Sequence, residues 1–318
     1  MISGRRDLNL NGEMQYPSRM HAITILDGGT GGELARRGAG GRTELWSAQA
    51  LLDAPDVVAE VHRDYVDAGA RTIITNSYST IPSYLSKLDM AARYEELTRL
   101  AGQIAREVAD SVEPSVRVAG SMPPLDESYR ADLVPDAVAA LPIYRRLAAA
   151  LNPYVDLFMC ETMSTAQEAH NAAVAALEAS AGRKPVYVSW TLAEQPGQGL
   201  RSGESIADAF GALADLDIAA FLFNCTTPEA IREALCQLNP LTDKPIGAYP
   251  NRLHIPAGWT LDNEIASERL ELGIDQYVTE ALRWTELGAT IIGGCCGIGP
   301  EYISALDATL RASRPAPG

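Results

Sequence analysis

Eight short apolar runs rich in β-branched residues, separated by stretches with helical character, constrain the fold of this chain more than any other feature. They are ITILDGG (23–29), TIITNSY (72–78), VRVAGSM (116–122), DLFMCET (156–162), PVYVSWT (185–191), AAFLFNCT (219–226), PIGAYPN (245–251) and TIIGGCC (290–296). Seven of them have near-continuous apolar cores without clean alternation, the pattern of parallel strands covered on both faces. Helical signals lie between them. DAPDVVAEVHRDYVDAG offers Asp53 as N-cap, apolar residues at Val57, Val58, Val61 and Val66, and Gly69 as a stop. STAQEAHNAAVAAL opens with a capping box from Ser164 to Gln167, and TTPEAIREAL places Thr227 before Pro228 at the first helical position. Eight strands alternating with helices predict an α/β fold, a (βα)8 TIM-type barrel. An open doubly wound sheet is the alternative, since strand count alone does not prove closure.

No repeat, low-complexity run or linker divides the chain. Residues 1–20 read as a mobile N-terminal arm and 21–318 as a single barrel domain, with 318 residues and 47% hydrophobic content sufficient for a large core. The Pro- and Gly-rich stretches at 120–135, 193–204 and 250–262 follow the third, fifth and seventh runs. All three therefore lie at the C-terminal face of a barrel, where loops after strands build active sites.

A net charge of −15 argues against a nucleic-acid backbone or an anionic membrane as partner, since either would select a basic face. No stretch approaches the roughly 18 consecutive apolar residues of a membrane span. Five cysteines, an odd number thinly spread, do not suit a secreted disulfide framework, and a cytoplasmic setting is expected.

The polar and sulfur residues fall at the expected strand ends: Asp27, Asn76, Glu161, Cys225, Asn251, Cys295 and Cys296. Cys225 ends the sixth run and the vicinal pair ends the eighth, so three thiols can meet across the seventh strand. Adjacent side chains on a regular strand point to opposite faces, which would keep Cys295 and Cys296 apart. Gly293, Gly294 and Gly297 relax that rule. The pair by itself also fits plain packing or a redox couple; with Cys225 in the same frame, ligation of one Zn²⁺ with a fourth position left open is the expected role. Cys160 and Cys236 read as core.

The turn LDGGTGGEL lacks the spacing of a dinucleotide or P-loop fingerprint. Asp27 at its start would meet an amine while the amides of Gly28, Gly29 and Thr30 meet a carboxylate. Glu161 adds a second acid at the same mouth, so the set fits an amino-acid zwitterion. His62 and His170, on helices, read as satisfied surface or core residues, and His254 lies in the loop after the seventh run. A phosphate-binding barrel using IGGCCGIG as an anion loop is disfavoured, because no lysine or arginine stands beside that segment in the sequence.

With these residues placed, the chain resembles the zinc-dependent homocysteine S-methyltransferase family over about residues 23–312. The resemblance rests on DGGTGGEL, on LWSAQALLDAPDVVAEVHRDYVDAGARTIITNSY, on FNCTTPEAI and on GGCCGIGPEYI. It implies Cys225, Cys295 and Cys296 as zinc ligands, and Asp27 and Glu161 as contacts for the amino-acid part of homocysteine. The implied reaction moves a methyl group from an onium donor, such as S-methylmethionine, S-adenosylmethionine or a betaine, to the homocysteine thiol, giving methionine. Trp46 and Tyr78 can face the donor cation or be core, since aromatic faces attract onium groups. The loop SMPPLDESYRADLVPD departs from the glycine-rich segment common in the family, which leaves the donor open. A related thiol or selenol as acceptor, or a non-catalytic zinc- or ligand-binding barrel, are the alternatives.

Overall fold

Each apolar run forms a strand: β1 Thr24–Ile25, β2 Thr72–Ile74, β3 Arg117–Met122, β4 Leu157–Met163, β5 Val186–Trp190, β6 Ala220–Asn224, β7 Ile246–Tyr249 and β8 Ala289–Ile292. The computed structural model describes residues 22–40, 45–256, 258 and 268–313; the arm expected over 1–20 lies outside them. The strands pair in parallel in the order β1-β8-β7-β6-β5-β4-β3-β2. A parallel bridge from Leu26 to Thr72 joins the two ends. The Asp27 amide donates to the Thr72 carbonyl at 3.0 Å, and the Arg71 amide to the Ile25 carbonyl at 2.8 Å. The ring is therefore closed as a (βα)8 barrel, and the doubly wound alternative falls.

Strands in such a barrel are apolar on both faces because two separate cores claim them. Leu26, Ala119, Leu157, Met159, Leu222 and Ile291 fill the interior. A larger cluster, including Ile25, Val118, Phe158, Val188, Phe221 and Ile292, packs outward against the helices. The residues alternate along each strand, yet both faces are buried, so the sequence shows no alternation. No helix among the described residues is long and apolar enough to cross a membrane.

The helix starts follow the sequence at one place and depart from it at two. Thr227 caps Pro228–Leu238 by accepting from the Ala230 amide at 3.1 Å, as its sequence predicts. The capping box at the next site sits one residue later than Ser164–Gln167. Thr165 Oγ1 accepts from the Glu168 amide at 3.0 Å, and Glu168 Oε2 accepts from the Ser164 amide at 2.7 Å. Both registers carry a hydroxyl followed three residues on by Glu or Gln, and the buried Glu168 selects the one that gives its carboxylate a donor. Asp53 is not a cap; it ends the helix Ala48–Asp53 and accepts from the Gln49 side chain. The next helix, Pro55–Asp67, starts without a side-chain cap because Pro55 presets its first turn.

His62 on that helix is fully buried, but neither ring nitrogen has a hydrogen-bond partner, so it is a core residue without the satisfaction expected for it. Burial alone lowers its pKa from 6.5 to about 4. As pH falls, the unfolded chain protonates first. The stability tied to the neutral ring is thus complete above about pH 6.5 and is lost progressively toward pH 4, about 3 kcal/mol in all. Denaturant midpoints between pH 7.5 and 4.5 should fall more steeply for the wild type than for His62→Phe; parallel curves would reject the assignment.

A candidate metal and substrate site at the barrel mouth

Cys225 follows the last residue of β6 and adopts a left-handed backbone, φ 51°. Its neighbour Asn224 fixes the turn. Asn224 Oδ1 accepts from the Thr162 amide at 2.9 Å and from Ser189 Oγ at 2.7 Å, while Nδ2 donates to Thr162 Oγ1 at 2.8 Å. One buried amide thereby ties the ends of β4, β5 and β6 together, and the Cys225 amide adds a bond to the Tyr249 carbonyl at 3.1 Å.

The vicinal pair escapes strand geometry because β8 ends at Ile292. The Cys295 amide donates to the Pro250 carbonyl at 2.8 Å, and the Ile298 amide returns to the Cys295 carbonyl at 3.0 Å. This tight turn needs the left-handed Gly297, φ 80°. Both sulfurs then reach the same point as Cys225. All three Sγ atoms lie within 4.8 Å of one another, and Cys225 and Cys296 are 3.8 Å apart. Tetrahedral zinc with bonds near 2.3 Å sets its sulfur ligands about 3.8 Å apart, the separation of Cys225 and Cys296.

Hydrogen bonds from the Cys295 thiol, the Cys296 thiol and the Tyr129 hydroxyl hold Cys225 well below the usual thiol range, against the upward push of burial. Cys295 and Cys296 are pushed up by the same pairing. The trio therefore ionises first at Cys225. Cys160 is buried inside β4, and Cys236 is half-buried on the helix Pro228–Leu238; neither belongs to the sulfur cluster.

Asp27 is fully buried after β1. Its Oδ2 accepts from the Ile74 amide at 2.7 Å, and its Oδ1 has no partner. Glu161 lies within β4 rather than beyond it, accepting from Ser121 Oγ at 2.5 Å and from the Tyr249 hydroxyl at 3.4 Å. Burial raises both carboxyls, Glu161 to about 7, and Glu161 pushes Asp27 up further. Two buried acids, one with an unused oxygen, thus stand close enough to interact and have the charge to accept a cationic group.

The other expected contacts are distributed differently. The Gly29 amide is spent on the Ile298 carbonyl at 2.9 Å, so it is not available to a ligand, contrary to expectation. A methyl at Gly29 would stand 2.7 Å from the Cys295 carbonyl oxygen, so its glycine is required by the sulfur turn instead. Asn76 donates to the Ser47 carbonyl at 3.0 Å and thus props the segment carrying Trp46. Trp46 packs with Tyr129, Leu253 and Ile255 at the mouth, and the Tyr78 hydroxyl is bonded to Ser128 Oγ at 2.7 Å. Asn251 Nδ2 approaches Cys225 Sγ at 3.8 Å. His170 and His254 face Asp215 and Glu271, each at 3.8 Å, away from the sulfurs.

Two residues of the mouth carry no legible sequence signal. Tyr129, from the atypical loop after β3, sets its hydroxyl 2.9 Å from Cys225 Sγ, and Arg201 lies over the Tyr129 ring. An arginine also stands beside the cysteine turn, contrary to the sequence-based argument against an anion loop. The Arg252 amide donates to the Cys296 carbonyl at 2.8 Å, and its guanidinium pairs with Glu268 at 3.0 Å. Its charge is thus engaged outside the turn, and the space inside belongs to sulfur.

The family model described as Homocysteine S-methyltransferase matches residues 24–310. Homocysteine S-methyltransferase 1 of Zea mays is 31% identical, with 92% of this chain and 96% of that protein covered. Homocysteine S-methyltransferase YbgG of Bacillus subtilis is 30% identical, covering 94% and 98%. The crystal structure of the metallated homocysteine methyltransferase MmuM from Escherichia coli superposes with a TM-score of 0.76 at 29% identity, covering 91% of this chain and 97% of that one.

Proposed function

Because this chain belongs to the homocysteine S-methyltransferase family, we propose that it transfers a methyl group from an onium donor to the thiol of homocysteine in a zinc-dependent reaction. The observation that carries the reading is the convergence of Cys225, Cys295 and Cys296 within 4.8 Å at the catalytic face of the barrel. These three cysteines would hold the metal. Zinc so bound supplies the Lewis acidity that lets a substrate thiol, otherwise mostly protonated with a pKa near 8.5, ionise at neutral pH.

The rest of the chemistry belongs to the chain. Asp27 and Glu161 bind the acceptor's ammonium group, and the Gly28 and Thr30 amides its carboxylate, which orients the acceptor sulfur toward the mouth. The Ile74 amide and Ser121 hold the two acids in place. The three thiolates concentrate negative charge and so draw a cationic donor. Trp46 and Tyr129 wall the mouth and exclude water from the sulfur trio. The acceptor sulfur attacks the donor methyl carbon in line; the new S–C bond forms as the old bond to sulfonium sulfur or ammonium nitrogen breaks. The electron pair stays on the leaving group, which departs neutral. S-methylmethionine, S-adenosylmethionine and betaine are the donors to be compared.

Metal analysis combined with these donors and homocysteine tests the reading. About one zinc per chain and transfer from at least one donor are expected. A protein that holds no metal after reconstitution under reducing conditions, or transfers from none of the donors, would overturn it. Asp27→Asn should raise the KM for homocysteine about 10- to 100-fold, the worth of a hydrogen bond to a charged group, with zinc content unchanged. Unaltered acceptor kinetics would remove Asp27 from the site.

A further inference from the structure

Arg201 is a cation held beside the sulfur trio, and among the described residues it forms no ion pair with a carboxylate. After β5 the chain makes a narrow excursion in which Leu192 and Leu200 pair antiparallel, and the Arg201 amide returns to the Thr191 carbonyl at 3.4 Å. Thr191 Oγ1 in turn bonds the Cys225 carbonyl at 3.3 Å. The guanidinium carbon lies 5.1 Å from the centre of the Tyr129 ring, whose hydroxyl touches Cys225 Sγ at 2.9 Å. One aromatic ring thus separates this charge from the metal-binding sulfurs.

Beyond that ring contact, the described residues leave part of the Arg201 guanidinium without acceptors. Its Nε and Nη2 are covered yet have no hydrogen-bond partner, while the side chain as a whole stays partly exposed. The nearby acid, Glu194, is occupied: its Oε1 accepts from the Ile255 amide at 2.8 Å and pairs with Arg269 Nη2 at 2.9 Å. Among the described residues no carboxylate forms an ion pair with Arg201. A desolvated guanidinium without acceptors is costly, and a planar anion that takes two of its N–H groups removes the cost.

We propose that Arg201 is the residue that binds the carboxylate of the methyl donor. This deepens the methyl-transfer reading and rests on it. In-line displacement sets the attacking sulfur and the leaving group on opposite sides of the methyl carbon. The acceptor's proposed anchors, Asp27 and the Gly28 and Thr30 amides, follow β1. Arg201 follows β5, four strands from β1 in either direction around the ring. The two substrates are therefore gripped from opposite sides of the mouth. Charge points the same way: a donor carboxylate is repelled by three thiolates, and a cation one ring away offsets that repulsion while the donor's positive end faces the sulfurs.

The test uses the zinc-loaded full chain with Arg201→Gln and Arg201→Lys. S-methylmethionine and betaine, each against its methyl ester, are the probes for calorimetric binding and for transfer kinetics. Arg201→Gln should weaken the free-acid donor about 10- to 100-fold in Kd and in kcat/KM, and leave its ester, the homocysteine KM and the zinc content within about twofold. Arg201→Lys, which keeps the charge without the planar fork, should recover part of the loss. An equal loss for acid and ester would make Arg201 a structural counter-charge, and a shift in homocysteine KM alone would assign it to the acceptor; either result overturns the inference. If the wild type transfers from no donor, the methyl-transfer reading fails separately, while wild-type binding that does not favour acid over ester would defeat the Arg201 assignment.

Discussion

Alanine at Cys225, Cys295 or Cys296 is expected to abolish both zinc retention and methyl transfer, while Cys236→Ala leaves both near the wild-type level. The three sulfurs are the only group of metal-ligating side chains found among the described residues. Each would supply one of three protein ligands, and the loss of one would leave too few for a tetrahedral ion that keeps a position for substrate. Loss of an outer-shell partner already costs about 10- to 100-fold in metal affinity, and loss of a ligand should exceed that. The substitutions should leave the fold in place. Cys295 and Cys296 are only half-buried, and the left-handed turn at Cys225 is held by Asn224 and backbone bonds that alanine keeps. Zinc content by mass spectrometry, read beside the thermal unfolding curve of the metal-free protein, separates ligation from folding. A Cys295 or Cys296 variant with full zinc and full activity would reduce the pair to packing.

Chelation in air should inactivate the enzyme through a disulfide joining Cys225 to Cys296 or Cys295. The Cys225 and Cys296 sulfurs stand 3.8 Å apart, and Cys225 is the thiol most easily ionised. Removal of the metal therefore leaves a nucleophilic thiolate beside a second thiol that needs little movement to bond with it. Oxygen takes the two electrons and, with the thiol's proton and one from solvent, leaves as hydrogen peroxide. A bond between Cys295 and Cys296 is disfavoured, since neighbours close only a strained ring. Activity should return with thiol reductant plus zinc, and with neither alone. Recovery with zinc alone would mean the thiols had stayed reduced, and a peptide cross-link involving Cys160 or Cys236 would move the metal site.

Much of this molecule is written locally. Eight apolar runs, each bounded by turn residues, specify a parallel α/β fold because a strand buried on both faces must be apolar along its whole length, and that property survives in a one-dimensional reading. The acids and cysteines at the run ends are legible for the same reason: a barrel's loops after strands share one face, so position along a strand implies position in space. Asp27, Glu161, Cys225, Cys295 and Cys296 all follow from that rule.

Tertiary structure decided what depends on closure and on loops crossing the mouth. The Leu26–Thr72 bridge distinguishes a barrel from an open sheet, and it joins segments far apart in sequence through backbone groups that every residue has. The Gly29 amide was committed to Ile298 rather than to a ligand by contact between the first and last strands' loops. Tyr129 and Arg201 come from different loops and meet over Cys225 through a ring face and a hydroxyl, an encounter no periodicity or spacing encodes. Sequence by itself thus determined the parallel α/β class and placed the three cysteines and the two acids at strand ends. Only the folded chain, by bringing polar loop residues together at a mouth that local patterning does not describe, decided which of the expected amides is already engaged and which cation lies over the ring beside the sulfurs.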